Sequence, residues 1–591
     1  MNRIAAIVLA GWFGLAATES PADAQSADQG ADQQFDALVA DYETWRQANN
    51  PIRAGRQGDL EAAARWPDAS FEAVEARREA ERTYLERLQA IDADALTGHK
   101  PISHAVLDYV LRSEVALARF DTERMPFVND SGFFSMPLHV ASSTRPRSIE
   151  QARAWLARLE TLPNFLAQHR RWMARGIEDG FVQPAYVVEV VIGQLGAIGE
   201  TPVGDSPLLE PFEDLPAALE AAHGEALRER AARILEARVM PAYRALLEFF
   251  RTEYLAQPRE SLGISEVPDG RDYYRALVRH HTTLDTTPEQ VHQRGLAEVE
   301  RIRAEMDAIV AEADFEGDFE AFLHFLRTDQ RFYADSPREL LMHASYIAKR
   351  ADDQMPRFFG KLPRLPYGVR PVPEHLAPTY TTGRYWPGDL ENGVAGGYMV
   401  NTHALDQRPL YTLPALTLHE AVPGHHHQGS LARELEDVPD FRRQTYITAF
   451  GEGWALYTEH LGIEMGIYTT PYEHFGRLSY EMWRACRLVV DTGIHYFGWS
   501  RERAEACFLE NSALAEHNVK TEVARYISWP GQALAYKTGE MLIRDLRQRA
   551  ERRLGQDFDL RAFHDHILVD GAMPLETLEA RMEAWIEKRA E

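Results

Sequence analysis

Helical periodicity constrains this chain more than any other feature. In TTPEQVHQRGLAEVERIRAEMDAIVAEA, starting at Thr286, Val291, Val299, Ile302, Met306 and Ile309 recur at the spacing of one helix face. Thr287 precedes Pro288 and stands three residues before Gln290, a capping pattern that marks where the helix starts. Similar amphipathic stretches cover residues 148–178, 219–254 and 485–495, with no internal repeat and no low-complexity linker. The pattern predicts a mainly α fold. Residues 362–413, rich in Pro, Gly and Tyr, are the exception. Within them GGYMVNTH, residues 396–403, alternates Tyr398, Val400 and Thr402 as a short strand does, and it stands just ahead of a helix entered near Pro414. Such a strand offers an edge for an extended peptide, with Tyr398 as a contact, or it is a structural hairpin.

The chain's 591 residues suit one large two-lobed protein. The expected division gives an N-terminal helical lobe over 25–330 and a C-terminal catalytic lobe over 331–591. A net charge of −26 repels phosphates and argues against a nucleic-acid partner. Residues 1–24 read as a secretory leader: Arg3, an apolar run over 4–17, then Ala22-Asp23-Ala24 before Gln25, with cleavage expected after Ala24. The run is shorter than the roughly 20 residues of a membrane span. No cysteine near the cleavage site could carry a lipid, so the expectation is a periplasmic or secreted protein without stable membrane insertion. Cys486 and Cys507 are too few for a Cys₄ zinc module. They flank the turn at Gly498-Trp499-Ser500, either as a bridge or as two small buried side chains.

Chemistry concentrates in LTLHEAVPGHHHQ, residues 416–428. It opens like H-E-x-x-H, but the second histidine's place is taken by Pro423. On a regular helix His425 falls about 240° round and about 9 Å along from His419, and His426 about 10.5 Å along, both too far to share an ion. The helix is not expected to be regular. Pro423 has no N–H and clashes with the carbonyl of His419, and Gly424 permits unusual backbone angles. A break there either brings His425 back towards the metal or ends the helix before a surface histidine cluster. In FGEGWALYTEHLG, Glu452 stands 27 residues beyond His425. Two histidines and a glutamate leave an open position, as in catalytic zinc sites, with Glu420 placed as general base. Glu459, and with it His460, could orient the ligands, or both belong to a solvated helix face.

Two further clusters suit amide hydrolysis. In RLVVDTGIHYFGW, Asp491 and His495 lie four apart on one helix face, where a carboxylate-held histidine could donate to an oxyanion, or form a surface ion pair. RYISWPGQALAYKTG gathers Arg525, Tyr526, Gln532, Tyr536 and Lys537 around a second Pro-Gly. Tyr536 is a candidate oxyanion donor, and Arg525 and Lys537 are candidates for gripping a peptide carboxylate.

HEAVPGHHHQ, GEGWALYTE, RLVVDTGIH and RYISWPGQALAYKTG, in this order and with the upstream motifs, resemble the bacterial family called domain of unknown function 885 over roughly residues 35 to 585. That family is grouped with the gluzincin zinc metallopeptidases. The resemblance implies a mainly helical, metallopeptidase-like body with a deep central cleft and a small strand element beside the active-site helix. It also implies a one-zinc site of His419, His425 and Glu452, with Glu420 as base. His426 belongs to the same pattern, so either histidine could be the second ligand. The expected function is an exported zinc peptidase acting on a peptide or small amide, carboxypeptidase- or oligopeptidase-like. The alternatives are a zinc hydrolase of a non-peptide amide or amino-acid conjugate, and an exported peptide-binding protein without catalysis.

Overall fold

The computed structural model describes residues 21–591 except 375, 391 and 392, with side chains described from residue 30 onward apart from that of residue 379. The expected leader lies outside the described residues, but for the backbone of its last four. No helix among the described residues is long and apolar enough to cross a membrane.

The periodic stretches are helices. One runs Ile149–Asp179, and near-continuous helical turns cover residues 217–254. Helix α1 (Pro288–Glu312) begins where its cap predicts. The Thr287 hydroxyl accepts from the Gln290 N–H at 3.2 Å, and the Gln290 side chain accepts from the Thr287 N–H at 3.0 Å. Val291, Ile302 and Met306 are buried, and Val299 and Ile309 are partly buried.

The irregular stretch holds three short strands, β1 (Tyr367–Pro371), β2 (Gly383–Trp386) and β3 (Gly396–Val400), in the spatial order β1-β3-β2. The strand expected to offer a free edge is therefore the central one. It pairs parallel with β1 and antiparallel with β2. Burial on both faces and pairing on both edges close β3 to any ligand, and the free edge nearest the motif belongs to β2.

The motif and the segments after it form helices α2 (Leu413–Glu420), α3 (His425–Arg433), α4 (Thr448–Leu461), α5 (Pro471–His495), α6 (Glu516–Ser528) and α7 (Ala535–Leu554). Every residue of α5 from Phe475 to His495 is buried, including its charged ones. Burying charge is costly unless it is paired, and the pairs are present. Arg477 meets Glu481, Arg484 meets Glu459 on α4, and Arg487 meets Glu522 on α6. Helix α1 packs along α5, with Gly295 against Leu488 and Val489, and His292 within 2.8 Å of the Thr492 hydroxyl. One buried apolar cluster extends from Ala31 to Ile586, on both sides of residue 330. Cys486 on α5 faces Cys507 in the helix Arg501–Asn511, and both are free thiols.

Helices α4 and α7 cross in backbone contact. A Cβ at Gly539 would lie 2.0 Å from the Ala449 carbonyl oxygen, and one at Gly453 would lie 2.5 Å from the Gly539 Cα. This contact sets Glu452 on α4 and Tyr536 on α7 on either side of one crossing. Gly539→Ala is expected to cost about 1–3 kcal/mol, read as a lower urea midpoint at unchanged m-value.

Candidate metal centre

Helix α2 ends at Glu420, and Ala421 leaves the helical region at φ −96°, ψ −116°. The chain turns over Val422–Pro423, and α3 restarts at His425, with the His426 N–H donating to the Ala421 carbonyl at 3.1 Å. Gly424 makes the turn possible: a Cβ there would lie 1.9 Å from the His419 carbonyl oxygen and 2.4 Å from that of Leu418. Helix α4 fastens both sides of the break. Trp454 Nε1–H donates to the Pro423 carbonyl at 2.8 Å, and the Thr458 hydroxyl donates to the Leu418 carbonyl at 3.0 Å. The Pro-Gly pair thus neither leaves a straight helix nor ends one at the surface.

The result brings His425 beside His419, with ring centroids 4.8 Å apart and planes at 88°. The Nε2 atoms of both rings lie 3.3 Å from Glu452 Oε2. His419, His425 and Glu452 are the one group among the described residues whose atoms could hold a metal ion, with ligand atoms all within 4.8 Å of one another. Donor atoms about 2.1 Å from a tetrahedral ion sit about 3.4 Å from each other, close to the spacing seen. Glu452 Oε2 has no hydrogen-bond partner, as expected of an atom whose lone pair serves a cation. The residues present fit zinc.

Around this triad, Glu459 lies seven residues after Glu452 on the same face of α4, and its Oε1 accepts from His419 Nδ1 at 2.8 Å. That fixes the tautomer, leaving Nε2 free to face the centre. Arg484 Nη2 meets the same Oε1 at 3.3 Å, and the Glu459 backbone carbonyl accepts from the Tyr468 hydroxyl. Burial works against a charge on His419, but Glu452 and Glu459 prevail and push its imidazole up to about 9. Burial likewise works against the Glu452 carboxylate, yet His425 and His419 hold it well below the usual range. Glu420, nearly buried at the end of α2, accepts the Tyr385 N–H from β2 at 2.7 Å through Oε2.

His426 points elsewhere, its Nδ1 within 3.2 Å of the Tyr385 hydroxyl and 3.3 Å of the Ser430 hydroxyl. His427 packs in the core against Phe359. The other expected residues divide. Arg525, Gln532 and Tyr536 form one cluster, with Arg525 bonded to Gln532 Oε1 and 3.5 Å from the Tyr536 hydroxyl. Tyr398 is fully buried, with its hydroxyl accepting from Thr417, and Tyr526 is buried among Glu522, Trp483 and Arg487. Lys537 is fully enclosed by Glu298, Glu481 and Glu540. None of these three has a side chain open to a ligand.

Asp491 and His495 share a helix face but do not pair. His495 Nδ1 accepts from the Ile264 N–H at 3.0 Å, and Nε2 faces the Tyr526 carbonyl at 2.8 Å. With both nitrogens filled by backbone, His495 has no proton to offer an oxyanion. Asp491 accepts from the Tyr274 hydroxyl and the Gly531 N–H, and so anchors the turn leading to Gln532 and Tyr536.

Two side chains that sequence patterns do not mark also stand here. Tyr446 lies against Gly451, next to Glu452, with 58% of its surface exposed. Desolvation of its phenol and then the Glu452 charge raise it well above its ordinary value, so it stays a donor although much of its surface is exposed. Arg384, exposed on β2, lies within electrostatic reach of Glu420 and Tyr536. Neither belongs to a helical motif. Tyr446 precedes Glu452 by six residues in a short non-helical link, and Arg384 sits in the stretch where periodicity lapses.

Residues 51–582 match the family described as bacterial protein of unknown function, DUF885. The chain belongs to this family. Among curated proteins none matches it. Two solved structures are similar. A candidate lipoprotein from Colwellia psychrerythraea is 26% identical with a TM-score of 0.85, and the alignment covers 94% of this chain and 100% of that one. A candidate lipoprotein of unknown function from Shewanella oneidensis is 19% identical with a TM-score of 0.71, covering 94% and 99%, and shares the fold. For this DUF885 member the geometry separates the two neighbouring histidines. After purification with zinc, His426→Ala is expected to retain about one ion per chain by metal analysis, whereas His425→Ala loses it.

The Asp491 carboxyl yields a second prediction. Burial, opposed by its hydrogen bonds, pushes it up from 3.8 to about 7. Between those values the unfolded chain releases the proton more readily, so this group lowers stability as pH rises from about 4 to 7 and has no further effect above. Asp491→Asn removes that titration. Its Tm relative to wild type should therefore rise from pH 5 to pH 8, and a constant difference would contradict the burial of a charged Asp491.

Proposed function

We propose that this chain is a zinc-dependent peptidase of the gluzincin type, with His419, His425 and Glu452 holding one ion and Glu420 as general base. One observation carries the reading: two histidine nitrogens converge on one hydrogen-bond-free carboxylate oxygen at 3.3 Å each, with Glu420 next in the chain to His419. His419 is almost closed off at 4% side-chain exposure, while His425 and Glu452 keep 15%, so access is from their side. Bound zinc would supply a Lewis acid that polarises a carbonyl and acidifies a water.

The remaining work falls to this chain's own side chains. Glu420 takes and returns the proton, oriented by the Tyr385 N–H on one oxygen. Tyr446 is a neutral donor beside the ligand Glu452, and Tyr536 is a second hydroxyl across the α4–α7 crossing; either can meet negative charge as it develops. Apart from the Tyr385 N–H, which Glu420 takes, the outer edge of β2 is where an extended peptide backbone could pair. The leader-like start of the sequence and the likeness to the candidate lipoprotein from Colwellia psychrerythraea support a location outside the cytoplasm.

The test is metal analysis of purified wild type and Glu420→Gln, with a defined peptide mixture read by mass spectrometry. Wild type is expected to carry about one zinc and cleave peptides. The variant should keep the metal and lose about 10²- to 10⁴-fold in rate. Metal-free wild type under zinc-replete conditions would sink the reading, and cleavage confined to non-peptide amides would change the substrate class.

A further inference from the structure

Positive charge gathers around Tyr536, beside the centre. Arg525 Nη2 lies 3.5 Å from its hydroxyl, and the Arg487 guanidinium lies over its ring, 4.3 Å from the centroid. These two arginines share a single carboxylate: Glu522 Oε2 is 3.2 Å from Arg487 and 3.3 Å from Arg525, and it also accepts from the Tyr526 hydroxyl. Arg487 Nη1 is buried without a hydrogen-bond partner.

Arg384 adds a third guanidinium from β2. It is exposed, and no ion pair joins it to a carboxylate among the described residues. Desolvation works against its charge, but Tyr380, Glu420 and Tyr536 hold it charged. The two guanidiniums at Tyr536 are thus answered, among the described residues, by Glu522 alone, and Arg384 stands beside Tyr385, whose N–H holds Glu420. In a chain of net charge −26 this local surplus runs against the general trend.

We propose that Arg525, at the Tyr536 hydroxyl, and Arg384, next in β2 to the Tyr385 N–H that holds Glu420, bind a carboxylate of the substrate, so that the site takes ligands bearing a carboxylate close to the bond presented to the triad. A guanidinium fork matches the two oxygens of a carboxylate, and charge-assisted bonds of this kind are the strong ones. Arg487, behind the ring, contributes field rather than contact. Gln532 holds Arg525 in place, and the Asp491-anchored turn holds Gln532. The carboxylate is either a peptide's C-terminus or an acidic side chain. The inference rests on the peptidase reading for what is cleaved, but not for what is bound.

The test is calorimetric binding to full-length protein stripped of metal, with three probes: tri-alanine, tri-alanine amide, and Ala-Asp-Ala amide. Tri-alanine is expected to bind at least about tenfold more tightly than its amide, with the gap mostly lost in Arg384→Met and in Arg525→Met. Arg384 is exposed, so its variant should fold even if that of Arg525 does not, and the comparison of acid with amide on wild type needs no variant. If Ala-Asp-Ala amide binds as tightly as tri-alanine, an acidic side chain serves as well as a terminus, and the proposal stands. Equal binding of acid and amide, no binding of any probe, or a gap that survives Arg384→Met would overturn it. Absence of zinc or of hydrolysis would defeat the peptidase reading while leaving this contrast intact.

Discussion

The centre depends on how closely residue 424 can approach the end of the helix before it. Only a residue without a Cβ fits, since that atom would lie 1.9 Å from the His419 carbonyl oxygen. That approach lets the chain turn within four residues and start a new helix at His425. Without it, the six-residue spacing would hold the two imidazoles about 9 Å apart along one axis. Helix α4 then does two things at once. It grips the break through Trp454 and Thr458, and it presents Glu452 and Glu459 two turns apart to the two nitrogens of His419. The ligand set and its support therefore come from a single packing contact between α2 and α4, not from the loop alone.

Much of this was legible in the sequence because the responsible residues leave local signatures. Pro423 and Gly424 announce a break, Thr287 and Gln290 announce a helix start, and Glu452 and Glu459 share a helix face by their spacing. What was not legible depends on long-range packing. His495 looked like a candidate donor because Asp491 stands four residues away, but its nitrogens are taken by the backbone of Ile264 and Tyr526, which no spacing rule could reveal. Lys537 looked able to grip a carboxylate, yet it is enclosed by three glutamates from other turns and helices. The strand at Gly396 was recognisable, but its central place in the sheet depends on β1 and β2, which lack its alternating pattern.

Arg384 and Tyr446 show the same limit from the other side. Each reaches the site from a non-helical segment, where side-chain direction is set by the fold and not by a period. Their roles rest on which neighbours the fold supplies: Glu420 and Tyr536 for Arg384, Glu452 for Tyr446. The charge of the whole chain says nothing of this local balance, since −26 overall coexists with a cluster of arginines a few side chains from the triad.

The buried helix α5 has a consequence for how the family can diverge. Its charges are matched by carboxylates on other helices, Arg484 by Glu459 and Arg487 by Glu522. Losing one member strands the other charge out of water, a penalty several times that of losing a surface pair. A change at one such position is tolerated only with a matching change at its partner, and one of the pairs ends on the carboxylate that orients His419. The interior charge ladder thus ties tolerance of change in the scaffold to the geometry of the His419 imidazole two side chains away.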